Sequence, residues 1–517
     1  MPKSRFCFCG CSLLAAWLGS GCSSIIDAHS QKTDLMKAYD TGNIKVAAID
    51  FADKAESRRD SGDAIMWFLE DGTARFEGSE YDKSLASYEA AEKKIDEFDH
   101  RATVSARDVG AEAGSAMTNL NALPYRGFYY DRILLNAYKS LAYFSMNKPD
   151  GALVELRRMR DTQKKVSQLF AAEIDQERKN IAKEQNEMLK EAAPLNHSGQ
   201  EYEGQQPQKG KNNANATTGG NISTQSLLQN DVVGAAMAEA KQKSEKTYGN
   251  LVNPFASYLS AIGYLYERNT SEALVDFRNL YRMDKNNPLT NRDYVTLGRQ
   301  LAENLPDALK DVKPYPYSLT SNIVFVIFAN GRGPALKQTK FQIILPWVGY
   351  TGVAFPQYEY YPATYTSLRV SGSGGEQQTV LVSDMDNVAS QEYVERLPLM
   401  ITRIVISYLT KELASLVATQ AASSQGTGAQ IVAYGVTGLY KYLFNTADTR
   451  CWETLPKQYQ ITHLPIPVDR KLTITPLAGT MTEQSISLEL KKSTRFAIVY
   501  IRAGSGKILS QKLIELQ

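Results

Sequence analysis

Few residues in this chain of 517 have the types and spacing for chemistry, and the scarcest of them is histidine: His29, His100, His197 and His463. His29 falls in a stretch read as an N-terminal tether and His197 in a low-complexity insert, which leaves two isolated imidazoles. Neither a His-dependent triad nor a multi-histidine metal site is therefore expected, and carboxylate acid–base chemistry is left open. NGRGP, residues 330–334, has the glycines of a phosphate loop. It lacks the Gly-Lys-[Ser/Thr] ending and no clear helix follows, so a turn between strands is expected. The most distinctive cluster is ADTRCWETLP, residues 447–456. Asp448 with Arg450 suggests a charge-assisted pair, and Trp452 a large anchor beside it. A binding or catalytic site could be built this way, and so could a structural corner; a lone Asp/Arg pair is commoner as scaffold, so the corner is the expectation. Cys451 has no neighbouring His or Cys and reads as a free buried thiol. No cofactor and no metal site is expected.

The elements that must position these residues fall into two blocks. From about residue 34 to 307 the apolar pattern is helical. In GSEYDKSLASYEAAEKKI, residues 78–95, Tyr81, Ser84, Leu85, Tyr88 and Ala91 share one face, the spacing of the second helix of a tetratricopeptide repeat, with 66–76 as the preceding helix. Ile44, Ala47, Ala48 and Phe51 repeat those offsets, as do Tyr143, Ala152, Leu153 and Leu156, and Ala261, Tyr264, Ala273, Leu274 and Phe277, with Pro288 closing the last unit. A generic antiparallel helical array uses the same i, i+3, i+4, i+7 stripe, but four segments share small residues as well as periodicity. Val166, Phe170, Ile174, Ile181 and Met188 form a thin stripe consistent with a long amphipathic helix protruding from the array. Residues 195–225 are almost devoid of aliphatic side chains and read as a disordered insert.

After residue 307 strand patterns dominate: NIVFVIFANGRGP, FQIILPWVGYTGVAFPQY, QQTVLVSD, KLTITPL, SISLEL and RFAIVYIRA. Ser383 and Asp386 fit a capping box opening a long apolar helix, with a kink at Pro398 and, through Gly435 and Gly438, a second helical arm over 429–444. Arg403, Lys411 and Glu412 interrupt the apolar run, so this hairpin, residues 384–445, is read as packed on the sheet and not as a membrane span. The fold class is α+β, multidomain: an N-terminal tetratricopeptide-like array, then a mixed domain over 308–517 with a largely antiparallel sheet.

Composition narrows the function classes. The 58 basic and 56 acidic side chains nearly cancel, which argues against a nucleic-acid partner. Lys3 and Arg5 precede an apolar run over 6–18, too short to span roughly 30 Å of hydrocarbon, and small residues lead to Cys22. This resembles the bacterial lipobox, with Gly19 where that box usually holds leucine. It implies a signal peptide over 1–21, diacylglycerol on Cys22 and a tether over 22–33. Cleavage removes Cys7, Cys9 and Cys11, and no internal disulfide framework is then possible with Cys451 alone inside the mature chain.

Several segments together resemble a family of largely uncharacterised bacterial lipoproteins with tetratricopeptide-like repeats: FYYDRILLNAYKSLAYFSMNKPDGALVELRR, VFVIFANGRGP, VAFPQY, SDMDNVA through RLPLMITRIV, and ADTRCWETLP. The resemblance implies export, an envelope anchor and an interaction role, and brings no enzymatic activity; Ser23 after the cysteine fits outer-membrane sorting, facing the periplasm. Some relatives lie near lipoproteins resembling activators of penicillin-binding proteins, which points to a cell-wall connection. The expected function is a lipid-anchored scaffold for an envelope protein partner, not an enzyme. The alternative is an envelope enzyme acting on peptidoglycan or another glycan through two carboxylates about 5 to 9.5 Å apart.

Overall fold

The computed structural model describes residues 28–108, 124–192, 224–245, 248–249, 251–345, 349–423, 446–478, 481–482 and 484–517. Cys22, the signal segment, most of the insert and the second arm of the predicted hairpin lie outside them.

Helices fill the first part of the chain: α1 (Ala28–Asp40), α2 (Ile44–Ser57), α3 (Ala64–Glu77), α4 (Tyr81–Asp108), α5 (Tyr129–Ser145), α6 (Pro149–Ala192), α7 (Thr224–Leu228), α8 (Asp231–Lys243), α9 (Pro254–Tyr266), α10 (Thr270–Met283) and α11 (Pro288–Gln300). Neighbours in sequence pack as neighbours in space, α3 between α2 and α4, α5 on α6, and α10 between α9 and α11. Two starts are written as Asn-Pro. Asn253 caps α9 by accepting from Phe255 N (3.0 Å), and Asn287 caps α11 by accepting from Leu289 N (3.1 Å), each with proline at the first helical position, where a missing N–H costs nothing. Pro288 therefore opens a helix; it does not close the preceding unit. Gly263 lets α9 approach α6 closely, since a Cβ there would collide with Leu156 Cδ1.

Several expectations change. Residues 28–33 are the first turns of α1 and not an extended tether, because Lys32 is fully buried on that helix. The stripe Val166, Phe170, Ile174, Ile181 and Met188 does not protrude: it is buried, and α6 packs along α12 (Met385–Ser423). Accordingly α12 lies mainly on α6 and α8, not on the sheet. Ion pairs fix that choice: Arg396 Nη1 and Nη2 meet the two Glu173 carboxylate oxygens at 2.9 and 3.2 Å, and Arg403 Nη1 meets Glu177 at 2.6 Å. The helix runs on through Pro398. Its start is capped by Asp384, whose carboxylate accepts from Asp386 N (2.9 Å), while Ser383 turns away to Asn253 (3.0 Å). Among the described residues no helix is long and apolar enough to cross a membrane.

The strands are β1 (Ile323–Asn330), β2 (Ala335–Leu345), β3 (Gly349–Glu359), β4 (Ser367–Gly372), β5 (Gly375–Gln378), β6 (Val380–Asp384), β7 (Gln458–Pro465), β8 (Lys471–Ala478), β9 (Met481–Thr482), β10 (Ile486–Glu489), β11 (Phe496–Ala503) and β12 (Ile508–Leu516). The central sheet runs β12-β11-β1-β7-β6, with β1 parallel to β11 and the other pairs antiparallel. The fold is thus α+β, with largely antiparallel sheets. Side-chain alternation splits β1 and β11 between two cores. Ile323, Phe325, Ile327, Phe496, Ile498 and Tyr500 join the helices in one continuous core. Val324, Val326, Phe328, Ala497, Val499 and Ile501 face the second sheet, β10-β8-β4-β5 with β9 beside β8. Buried on both faces, these strands read as unbroken apolar runs.

Candidate functional site

The segment 447–457 sits where the helices meet the loops at the C-terminal end of β1, and α3 organises it. That helix is buried on nearly every side yet carries Glu70, Asp71, Thr73 and Glu77. Each buried polar group needs a partner, and each has one from a different neighbour. Asp71 accepts from Arg75 Nε (2.8 Å) and Ser87 Oγ (2.5 Å); Thr73 Oγ1 accepts from Trp452 Nε1 (2.9 Å); Glu77 accepts from Tyr500 Oη (2.8 Å).

Glu70 belongs to the densest cluster. Its Oε1 accepts from Lys32 Nζ (3.1 Å) and Glu453 N (2.8 Å), and its Oε2 from Thr454 N (3.0 Å). Lys32 Nζ also donates to the Cys451 carbonyl (2.5 Å) and lies 2.9 Å from Glu453 Oε1. Glu453 in turn meets His29 Nδ1 (3.2 Å) and Arg332 Nη2 (2.7 Å). The ammonium lies between the two carboxylates and neutralises part of their charge. Burial works against the Glu453 charge, but Lys32, His29 and Arg332 overcome it and hold the carboxyl down at about 2. Burial likewise opposes the Lys32 charge, and Glu453 and Glu70 still raise it above its ordinary value. His29, read from sequence as part of a tether, is thus tied to this cluster, with its backbone N donating to Thr449 Oγ1 (3.2 Å).

The three residues singled out in the sequence lie around the same point. Arg450 forks onto Asp448, Nε to Oδ1 at 2.8 Å and Nη2 to Oδ2 at 2.7 Å, and its Nη1 donates to Asp63 Oδ1 (3.0 Å). Burial opposes that charge too, and the two aspartates more than offset it. Trp452 Nε1 donates to Thr73 and Thr454, and its ring lies against Tyr88 and Tyr138. Cys451 is a free buried thiol pushed up to about 12, first by burial. Lys32, Glu70, Glu453, Cys451 and Trp452 are sealed from solvent, His29 and Asp448 are partly exposed at the edge, and the contacts join α1 and α3 to the loop before β7. The cluster fastens two parts of the chain together.

An accessible site lies elsewhere, in a cavity of about 400 Å³ between α6, α9 and α10. Gln163 bridges its wall, donating to Ser257 Oγ (2.7 Å) and accepting from Asn253 N (2.9 Å). At its floor Asp276 accepts from Ser260 Oγ (2.7 Å) and pairs with Arg160 Nε (3.2 Å), whose guanidinium stacks on Tyr264. Burial pushes the Asp276 carboxyl up to about 6 against the pull of Arg160. Lys164 and Arg282 stand exposed at the rim beside Asn279.

No protein-family model, curated protein or solved structure matches this chain.

One constellation was invisible in the sequence. His463 is not isolated: its Nε2 lies 2.7 Å from Asp293 Oδ1 and its Nδ1 3.2 Å from Tyr317 Oη, while Tyr258 Oη donates to Asp293 Oδ2 (2.6 Å). The order Asp, His, hydroxyl has the outline of a nucleophile relay. Burial and Asp293, however, raise the Tyr317 phenol, the reverse of activation. No local signal joins residues 170 apart in the chain. Among the described tyrosines between 315 and 365, Tyr358 and Tyr365 are buried, and Tyr315, Tyr317, Tyr360 and Tyr361 are half-buried.

Proposed function

We propose that this chain is a bacterial envelope protein, anchored by lipid on Cys22, that binds a protein partner through its helices. The observation carrying this reading is the groove between α6, α9 and α10, large enough for several side chains of a partner and rimmed by Lys164 and Arg282. Consecutive helices pair in chain order, with Ala47, Ala48, Ala91, Ala152, Ala261 and Ala273 buried at their contacts, as a tetratricopeptide-like array would have them. The buried charge cluster at 447–457 supplies rigidity to such a scaffold. The lipobox-like run before Cys22 and the family resemblance support a location at the outer membrane facing the periplasm, with a cell-wall connection. Crosslinking in intact membranes should recover a defined partner with the wild-type chain and lose it with Lys164→Glu plus Arg282→Glu. A monomer without partner in both sinks the scaffold. Cys22→Ser should release the protein from membranes; unchanged membrane association refutes the anchor.

A second reading, an envelope enzyme acting on a glycan through carboxylates, draws on Asp276, a carboxyl raised to about 6 at the floor of an open cavity. It requires that the purified protein cleave labelled peptidoglycan and that Asp276→Asn abolish the cleavage.

A further inference from the structure

Among the described residues several large apolar side chains are exposed, and two of them are neighbours on α2. On α2, Ile44, Ala47, Ala48, Phe51 and Ala55 face the core, while Val46 and Ile49 point outward at 53% and 61% exposure. They are three residues apart and so share one patch at the start of the helix. Exposed Lys45 adjoins it on α2, and exposed Lys37 stands in the last turns of α1. Lys507 Cε comes so close to Gly42, in the turn between α1 and α2, that a Cβ there would meet it at 2.6 Å. Exposed Asp50 and Asp53 lie one turn on from Val46 and Ile49 along the same face, so the patch is an apolar pair with Lys45 toward the start of the helix and carboxylates on the far side.

The place of this patch in the fold is fixed by α1. His29 meets Glu453, Asp40 meets Arg332 and Gly42 abuts Lys507, so α1 lies across the loops at the C-terminal end of β1. The other end of the sheet, where Ile323 pairs with Pro465 and Phe496, carries the turn with Val468, exposed at 93%. A strand length of about 25 Å separates the two ends.

The length of chain before α1 decides what this patch faces. From Cys22 to Ala28 are six Cα–Cα steps, at most about 20 Å when fully extended. A chain of this size folds to a radius of gyration of about 23 Å, so such a tether is shorter than the body it holds. The α1–α2 turn lies about 18 Å further along α1 from Ala28, so it comes to the bilayer when α1 lies along the membrane plane.

We propose that this end of the molecule rests on the bilayer, with Val46 and Ile49 in the interfacial layer and Lys37, Lys45 and Lys507 at headgroup level. The inference depends on lipid at Cys22. Its test uses the lipidated full-length protein in phosphatidylcholine vesicles, with an environment-sensitive fluorophore on Val46→Cys or, for comparison, on Val468→Cys; both sites are exposed, so folding is not at issue. Cys451 is buried and Cys22 blocked, so the label is unique. The expected result is blue-shifted emission at 46 with quenching by brominated lipid at least about threefold that at 468. Equal, water-like emission at both positions in a vesicle-bound protein overturns the docked face and leaves the anchor standing. Failure of Cys22 to incorporate labelled palmitate overturns both, and the lipid label tells the two failures apart.

Discussion

Lys32 Nζ lies 2.9 Å from Glu453 Oε1, and neither side chain has any exposed surface. One comes from the first described helix and the other from the loop before β7, so a single buried pair closes the chain on itself. Taking an ammonium out of water costs several kcal/mol, and here two carboxylates and a carbonyl offset it. Removing the cation alone leaves Glu70 and Glu453 facing each other without it. Lys32→Ala is expected to destabilise by about 3–5 kcal/mol in urea unfolding. Lys32→Met combined with Glu70→Gln and Glu453→Gln should recover much of that loss; equal loss in both would show that packing and not charge carries the effect.

Glu453 also sets an acid limit. Its carboxyl is held at about 2, below the ordinary 4.5, so the folded state binds fewer protons than the unfolded one between those values. The stability it contributes is complete above pH 4.5 and drains away as pH falls through 2. Thermal melts between pH 5 and 2.5 should show a slope that flattens in Glu453→Gln; an unchanged slope would place the acid-sensitive group elsewhere.

Asp131 works in the opposite direction. Its Oδ2 accepts from Tyr125 Oη (2.7 Å) and from Phe128 N (2.8 Å), half of a capping box at the start of α5, while Oδ1 has no hydrogen-bond partner. Burial pushes this carboxyl up to about 7, from an ordinary 3.8. The folded state therefore holds the extra proton, and stability falls as pH rises from about 4 to 7. Asparagine can present its oxygen at the Oδ2 position and keep both bonds. Asp131→Asn is expected to gain on the order of 2 kcal/mol at pH 8 and to lose the neutral-range slope; destabilisation at pH 8 would refute the account.

What could be read from the sequence follows from range. Repeating offsets such as Tyr81, Ser84, Leu85 and Tyr88, and the apolar runs of β1 and β11, are local signals, and they located helices and strands. ADTRCWETLP advertised itself by the density of unusual residues within ten positions. Its partners did not: Lys32, Glu70 and Thr73 look like ordinary helix surface until α3 is known to be buried all round. The same holds for Asp293 and His463, and for α6, whose charged face looks solvated because Glu173, Glu177 and Glu184 find their arginines only on α12. The strand β12, ILSQKLIEL, was missed because its polar residues interrupt the apolar alternation on an edge strand.

The seam between α6 and α12 gives the last prediction. Arg396 binds Glu173 through both terminal nitrogens and Glu392 through Nε (2.8 Å), and Glu392 is itself 1% exposed and accepts from Tyr129 N (2.9 Å). Arg396→Ala strands a buried carboxylate whose pKa burial already raises. A loss of about 3–5 kcal/mol is expected at neutral pH for that reason. The seam joins helices that lie mainly off the central sheet, so the loss should appear locally, as faster amide exchange over 166–188 and in α12, before the sheet responds. Arg396→Lys keeps the charge without the planar fork and should fall between the two. Uniform acceleration across the sheet and α3 would instead make the seam part of one cooperative unit with the core.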